Sequence, residues 1–206
     1  MIIKNATFIT SAASPNQFIR SEKPIIAVVG KSNVGKSSLI NMLANQKKLA
    51  KTSDSPGRTR LVNYFDFGEF ILADLPGYGF AKVSKAEKEK WGKVMEQFFA
   101  DRQNAQYVFS LLDIRHPPTA DDITMANFLH SNAISFSFIA TKADKLSRMQ
   151  IKSNVKDIAR RFAVTENEII ATSSETRYGK EEVLNKLDKI IENIKNHGNY
   201  EEIEED

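Results

Sequence analysis

Apolar runs rich in β-branched and aromatic residues alternate along the chain with amphipathic stretches of helical length. The runs predict strands at residues 25–29, 61–67, 70–73, 107–112, 136–140 and 168–171. Gly68 and Glu69, between the second and third, read as a tight hairpin turn, so that pair is expected to be antiparallel. Helix-length segments separate the other strands, which calls for parallel pairing through crossover helices. Those helices are predicted at about residues 36–45, 85–101, 120–130, 148–162 and 180–194. In the second, Trp91, Val94, Met95, Phe98 and Phe99 recur at i, i+3, i+4, i+7 and i+8. Such a stripe reads as core and gives Trp91 a packing role. Lys85, Lys88, Lys90 and Lys93 fall largely off it, on a solvated face.

The pattern therefore predicts a three-layer α/β/α domain: a mostly parallel six-stranded sheet with one antiparallel strand and helices on both faces. Residues 1–22 read as an N-terminal lead-in packing on that domain, residues 23–195 as the domain, and residues 196–206 as an acidic tail.

Composition narrows the class without changing it. The chain has 206 residues, 41% hydrophobic and 27% charged, which excludes collagen-like, mucin-like and wholly disordered chains. No apolar run approaches the roughly 18 to 20 residues of a membrane-spanning helix. The N-terminus lacks the basic-then-apolar profile of a secretion signal. The absence of cysteine excludes disulfides and thiolate metal sites. A cytoplasmic, monomeric domain with no membrane partner is expected. The net charge of +3 conceals an asymmetry, because the last six residues hold 5 of the 26 acids and no base. Without them 29 basic residues face 21 acidic ones, and a body at +8 can attract polyanions.

The chemistry begins at Gly30-Lys31-Ser32-Asn33-Val34-Gly35-Lys36-Ser37, which satisfies G-x-x-x-x-G-K-[ST] with a predicted strand before it and a helix after. Glycine at both ends lets the backbone curl so that successive N–H groups face phosphate oxygens. The positive end of the following helix adds attraction. Lys36 supplies a point charge for the β- and γ-phosphates, and the Ser37 hydroxyl a ligand for magnesium. The four fixed positions arise by chance in roughly 1% of chains this long, and the flanking elements lower that further. The loop therefore reads as a nucleoside-phosphate site.

The base is chosen downstream. Asp74-Leu75-Pro76-Gly77 follows a predicted strand 38 residues beyond Lys36. A carboxylate there can hold magnesium through water, and the Gly77 N–H can approach the γ-phosphate where a side chain would obstruct. Another 70 residues on, Thr141-Lys142-Ala143-Asp144 follows the strand predicted at 136–140. Guanine presents N1–H and a 2-amino group, two donors that one carboxylate accepts together. Adenine lacks that pair, so a site built on Asp144 favours GTP. The Lys142 stem can lie along the base plane. Ser173 and Ser174, after the last strand, can offer a backbone N–H to the guanine O6. Thr59, in the irregular stretch 52–60, can bring its hydroxyl and carbonyl to magnesium when a γ-phosphate is present.

With these motifs in place the chain resembles translation-factor-class P-loop GTPases, and more closely the EngB (YihA/YsxC) family of bacterial ribosome-biogenesis GTPases. The resemblance rests on residues 30–38 (GKSNVGKSS), 56–59 (PGRT), 74–83 (DLPGYGFAKV), 112–117 (LDIRHP), 141–144 (TKAD) and 173–175 (SSE), and runs from about residue 20 to 190. It implies the P-loop GTPase fold, GTP and GDP as ligands with Mg²⁺, and a role in assembling the large (50S) ribosomal subunit. It also implies that the nucleotide touches Gly30, Lys31, Ser32, Asn33, Val34, Gly35, Lys36, Ser37 and Ser38 of the loop. Pro56, Gly57, Arg58, Thr59, Asp74, Leu75, Pro76, Gly77, Thr141, Lys142, Ala143, Asp144, Thr172, Ser173 and Ser174 complete that set. Ser37, Thr59 and Asp74 are the implied metal residues, and Lys36, Thr59, Gly77 and Asn33 the implied catalytic ones.

Tyr78 stands where many small GTPases carry the glutamine that orients the attacking water, so intrinsic hydrolysis is expected to be slow. Asn33 matches the asparagine with which potassium-dependent relatives hold K⁺ against the phosphates, a charge placed where an arginine finger acts. Lys47, Lys48, Lys51, Arg58, Arg60, Lys82, Lys85, Arg115 and His116 are candidate contacts to ribosomal RNA. Two other readings stay open. One is a P-loop ATPase or kinase, which Asp144 disfavours. The other is a GTP-stabilised RNA- or protein-binding scaffold with negligible hydrolysis, which Tyr78 keeps alive.

Overall fold

The computed structural model describes residues 1–51, 61–79 and 85–201, the side chains of residues 85–88, 90 and 197–201 excepted. The elements run β1 (Thr7–Ala12), β2 (Ile25–Gly30), α1 (Lys36–Ala44), β3 (Val62–Asp66), β4 (Ile71–Asp74), α2 (Lys85–Phe99), β5 (Tyr107–Asp113), α3 (Ala120–Ser131), β6 (Phe136–Thr141), α4 (Arg148–Phe162), β7 (Ile169–Ala171) and α5 (Lys180–Glu201). They build one sheet of order β1-β3-β4-β2-β5-β6-β7. Only β3 opposes its neighbours, pairing antiparallel with β1 and with β4; the others pair in parallel. The β3–β4 turn closes where the Phe67 N–H donates to the Phe70 carbonyl, with Gly68 at φ 89°.

Seven strands stand where the sequence predicted six. The addition is β1, which lies within the stretch read as a lead-in and pairs along β3 from Thr7–Asp66 to Ala12–Val62. Its first three residues are exposed, so it carries no core signature. At the other end α5 continues to Glu201, beyond the predicted stop at residue 194.

The central strand shows why the sheet is layered. Every residue of β2 is buried, as in a parallel strand covered on both faces. Its side chains alternate between two cores. Ile26 and Val28 pack with Leu39, Ile40 and Leu43 of α1 and with Val183, Leu187 and Ile190 of α5. Ile25, Ala27 and Val29 pack with Met95 and Phe98 of α2 and with Met125 and Leu129 of α3. Ile158 and Ala159 of α4 cover Phe138 and Ala140 of β6 in a third cluster. Among the described residues no helix is long and apolar enough to cross a membrane.

Because β2, β4, β5, β6 and β7 run parallel, the loops that follow them leave from one edge of the sheet. That edge is where open α/β sheets bind ligands. The described candidate residues of the nucleotide site follow these strands: 30–38 after β2, 74–78 after β4, 141–144 at the end of β6 and 172–174 after β7.

Candidate functional site

The loop after β2 enters α1 through Gly35, which caps the helix at φ 114°. Asn33 also adopts a left-handed conformation, at φ 61°. The Val34 N–H donates back to the Lys31 carbonyl at 3.0 Å, closing a tight curl. Lys36, Ser37 and Ser38 then form the first turn of α1, whose free N–H groups and positive dipole end face the curl.

The segment after β4 is sewn onto this loop. Leu75 donates to the Val28 carbonyl, Ser32 to the Tyr78 carbonyl at 2.8 Å, and Tyr78 to the Gly30 carbonyl at 3.3 Å. Leu75 itself is core. Gly77 comes so close that a Cβ there would meet Ser32 backbone atoms at 3.1 Å and Lys36 Nζ at 3.3 Å. The Lys36 ammonium lies 3.8 Å from Asp74 Oδ1. That carboxylate oxygen is buried without a hydrogen-bond partner. Burial pushes the Asp74 carboxyl above its ordinary range, against the pull of Lys36.

This arrangement fits a magnesium–phosphate ligand. An orphaned carboxylate oxygen and the Ser37 hydroxyl are hard donors of the kind Mg²⁺ takes beside phosphate oxygens. Among the described residues no group of three or more His, Cys, Asp or Glu could cage a metal without such a ligand. Pro56, Gly57, Arg58 and Thr59 lie outside the described residues, as do Arg60 and Lys82.

The second half of the site is built from the ends of β6 and β7. Thr141 Oγ1 donates to the Val34 carbonyl at 2.6 Å and lies 3.0 Å from the Leu112 carbonyl, so it braces the phosphate loop rather than pointing at a ligand. Ala143 donates to the Thr172 carbonyl, and Thr172 to the Ala140 carbonyl. Thr172 and Ser173 are buried. Asp144 accepts the Ser173 hydroxyl at 2.8 Å and pairs with Lys145 at 2.9 Å. Lys145 first, then Ser173, hold its carboxyl below the ordinary range, so it is an acceptor at neutral pH. Ser174, half-buried, follows directly.

Lys142 joins the two halves. Its ammonium donates to the Asn33 carbonyl and to Asp113 Oδ2, each at 2.9 Å. Asp113, at the end of β5, also takes two bonds from the Arg115 guanidinium. Burial favours its neutral form, but the bonds from Arg115 and Lys142 outweigh that and hold the carboxyl well below its usual range. Sequence reasoning gave Asp113 no role. Its signals were its place in the LDIRHP segment at 112–117 and its position at the same strand edge as Asp74 and Asp144.

Two further placements change the picture. Tyr78 turns into the core, 5% exposed, and its hydroxyl donates to Asp122 Oδ1 at 2.9 Å. The other oxygen of Asp122 caps α3 by accepting from Thr119. Trp91 lies on the apolar stripe as expected, its ring edge-on to Tyr78 at 5.7 Å between centroids. It also donates its indole N–H to the Pro76 carbonyl at 3.0 Å. Lys31 runs beside Gly79, where a Cβ would meet Lys31 Cγ at 2.9 Å and Asp121 Oδ2 at 3.1 Å.

Comparison with known proteins extends the pattern to whole families. The family model described as 50S ribosome-binding GTPase matches residues 25–142. A probable GTP-binding protein EngB of Clostridium kluyveri is 48% identical over 194 residues, covering 93% of this chain and 98% of the relative. Its counterpart in Heliobacterium modesticaldum is 46% identical over 190 residues, covering 91% and 93%. Among solved structures, a probable GTP-binding protein engB superposes with a TM-score of 0.69 at 23% identity, covering 82% of this chain and 99% of the other. Era, solved with MgGDPNP and part of 16S ribosomal RNA, superposes with a TM-score of 0.66 at 22% identity, covering 81% and 56%. These last two share the fold. With nearly half the residues identical over more than nine-tenths of its length in the curated relatives, the chain belongs to the EngB family of GTP-binding proteins and is a GTPase.

Proposed function

We propose that this GTPase is a magnesium-dependent, slowly turning switch that works as a cytoplasmic monomer in assembly of the large ribosomal subunit. The observation that carries the switch reading is the meeting of the Lys36 ammonium, the unpartnered Asp74 carboxylate and the Gly77 backbone at one loop. Lys36 neutralises the β- and γ-phosphates, and the Gly77 N–H donates to the γ-phosphate, a bond that GDP cannot make. Ser37 and Asp74 hold Mg²⁺, with Thr59 as the ligand that depends on nucleotide state. When bound, the ion would neutralise negative charge that develops on the phosphates during transfer. At the base, Asp144 accepts N1–H and the 2-amino group, the Lys142 stem lies against the ring, and Ser173 and Ser174 offer backbone N–H groups to O6.

Slow turnover follows from Tyr78, whose hydroxyl is committed to Asp122, so its side chain does not orient water. The Asn33 side chain is exposed on the loop, open to a monovalent cation that would supply the missing charge. The partner reading draws on the ribosome-binding description of the matched family and on exposed Lys47, Lys48 and Lys51, which follow α1. Arg115 is engaged with Asp113, so of the two candidates in the loop after β5 His116 is the freer contact.

Two measurements test the proposal together. Co-sedimentation with large ribosomal subunits should be stronger with a non-hydrolysable GTP analogue than with GDP. Hydrolysis should accelerate when K⁺ replaces Na⁺, and again when subunits are added. Rapid turnover with neither, or sedimentation indifferent to the nucleotide, contradicts it.

A further inference from the structure

The Pro76 carbonyl, held by the Trp91 indole N–H at 3.0 Å, belongs to the same planar amide as the Gly77 N–H. No described peptide is cis, so that C=O and that N–H point in opposite directions. Fixing the carbonyl on α2 therefore turns the Gly77 N–H away from α2. Gly77 also packs close against the Ser32 backbone and the Lys36 ammonium, which a Cβ there would meet at 3.1 and 3.3 Å. No acceptor among the described residues takes the Gly77 N–H.

The neighbouring residue is fixed as firmly. Tyr78 exchanges main-chain bonds with Gly30 and Ser32, and its hydroxyl is tied to Asp122. The Trp91 bond opposes rotation of the Pro76–Gly77 amide between these fixed neighbours. Packing alone does not require a tryptophan at this position, since a phenylalanine ring could also lie edge-on to Tyr78. The indole adds a donor with no acceptor function, at the far end of a large flat ring.

We propose that Trp91 is a positioning residue for the γ-phosphate. Its indole N–H holds the Pro76 carbonyl so that the Gly77 N–H is aimed at the terminal phosphate of GTP, and α2 thereby senses whether that phosphate is present. This rests on the GTP-pocket reading above. Trp91 touches no reacting atom; it acts through Gly77.

The test is Trp91→Phe, which keeps a ring and removes the donor, compared with the wild-type chain in binding GDP, ADP and a non-hydrolysable GTP analogue. The variant should bind GDP within about twofold of wild type, while its affinity for the analogue falls about five- to tenfold, the scale of one hydrogen bond. Its kcat should fall at saturating GTP. Equal losses for both nucleotides, or no loss for either, overturn the proposal. A wild-type chain that binds ADP as well as GDP overturns the pocket reading and this inference together, whatever the variant does. Should the variant not fold, the wild-type chain still decides. Trp91 is its only tryptophan, so one indole N–H signal appears in a nitrogen-15 spectrum. That proton should be protected from exchange with the analogue bound, and exchange at the rate of a free indole overturns the proposal.

Discussion

Burial of Asp74 beside Lys36 raises its carboxyl pKa, which means the folded chain binds that proton more readily than the unfolded chain does. The group therefore favours the fold at low pH, and that contribution is lost as pH rises through its folded value. At neutral pH the charge is a cost that a bound magnesium would relieve. Asp74→Asn should accordingly melt higher than wild type without nucleotide at neutral pH, with the difference shrinking as pH falls. The same variant should lose at least tenfold in magnesium-dependent affinity for GTP; thermal melts and titrations with and without Mg²⁺ check both. At this scale the motif residues were legible because their spacing is dictated by a phosphate chain and a purine edge. Tyr78–Asp122, Trp91–Pro76 and Lys142–Asp113 were not. Each joins residues 15 to 44 positions apart that only the folded sheet brings together.

Helix α2 links core to site, with Phe98 fully buried against Phe18 and Phe99 by edge contacts of 5.3 and 5.1 Å. Phe98→Ala leaves a cavity under the helix that holds Pro76, and should cost about 3–5 kcal/mol of stability by chemical denaturation. A cost under about 1 kcal/mol would show that α2 is not anchored there. The elements themselves were legible where one face is apolar. The stripe of α2 announced both element and face, and the unbroken apolar run of β2 announced a strand covered on both sides. β1 escaped because pairing with β3, not burial, makes it a strand: Phe8 is 51% exposed and Ile9 42%. α5 outruns its apolar stripe because an established helix gains a hydrogen bond with each added residue.

For the whole molecule, parallel crossovers gather the ends of five strands at one edge, so residues far apart in sequence can read one ligand. Sequence order foretold that gathering, since the phosphate loop, the segment from Asp74 to Gly77, the segment from Thr141 to Asp144 and the Ser173–Ser174 pair each follow a predicted strand. It could not foretell the bracing that joins phosphate loop and base loop through Thr141 and Lys142. In the proposed function Asp144 selects guanine from that edge. Competition binding of GDP, ADP and xanthosine diphosphate to wild type and to Asp144→Asn decides whether it does. Xanthine carries a carbonyl where guanine has its 2-amino group, and an asparagine amide can donate to it. Wild type should prefer GDP to ADP by about a hundredfold or more, and the variant should shift its preference to the xanthine nucleotide. A wild type indifferent to the base, or a variant that still prefers GDP as strongly, would contradict the account.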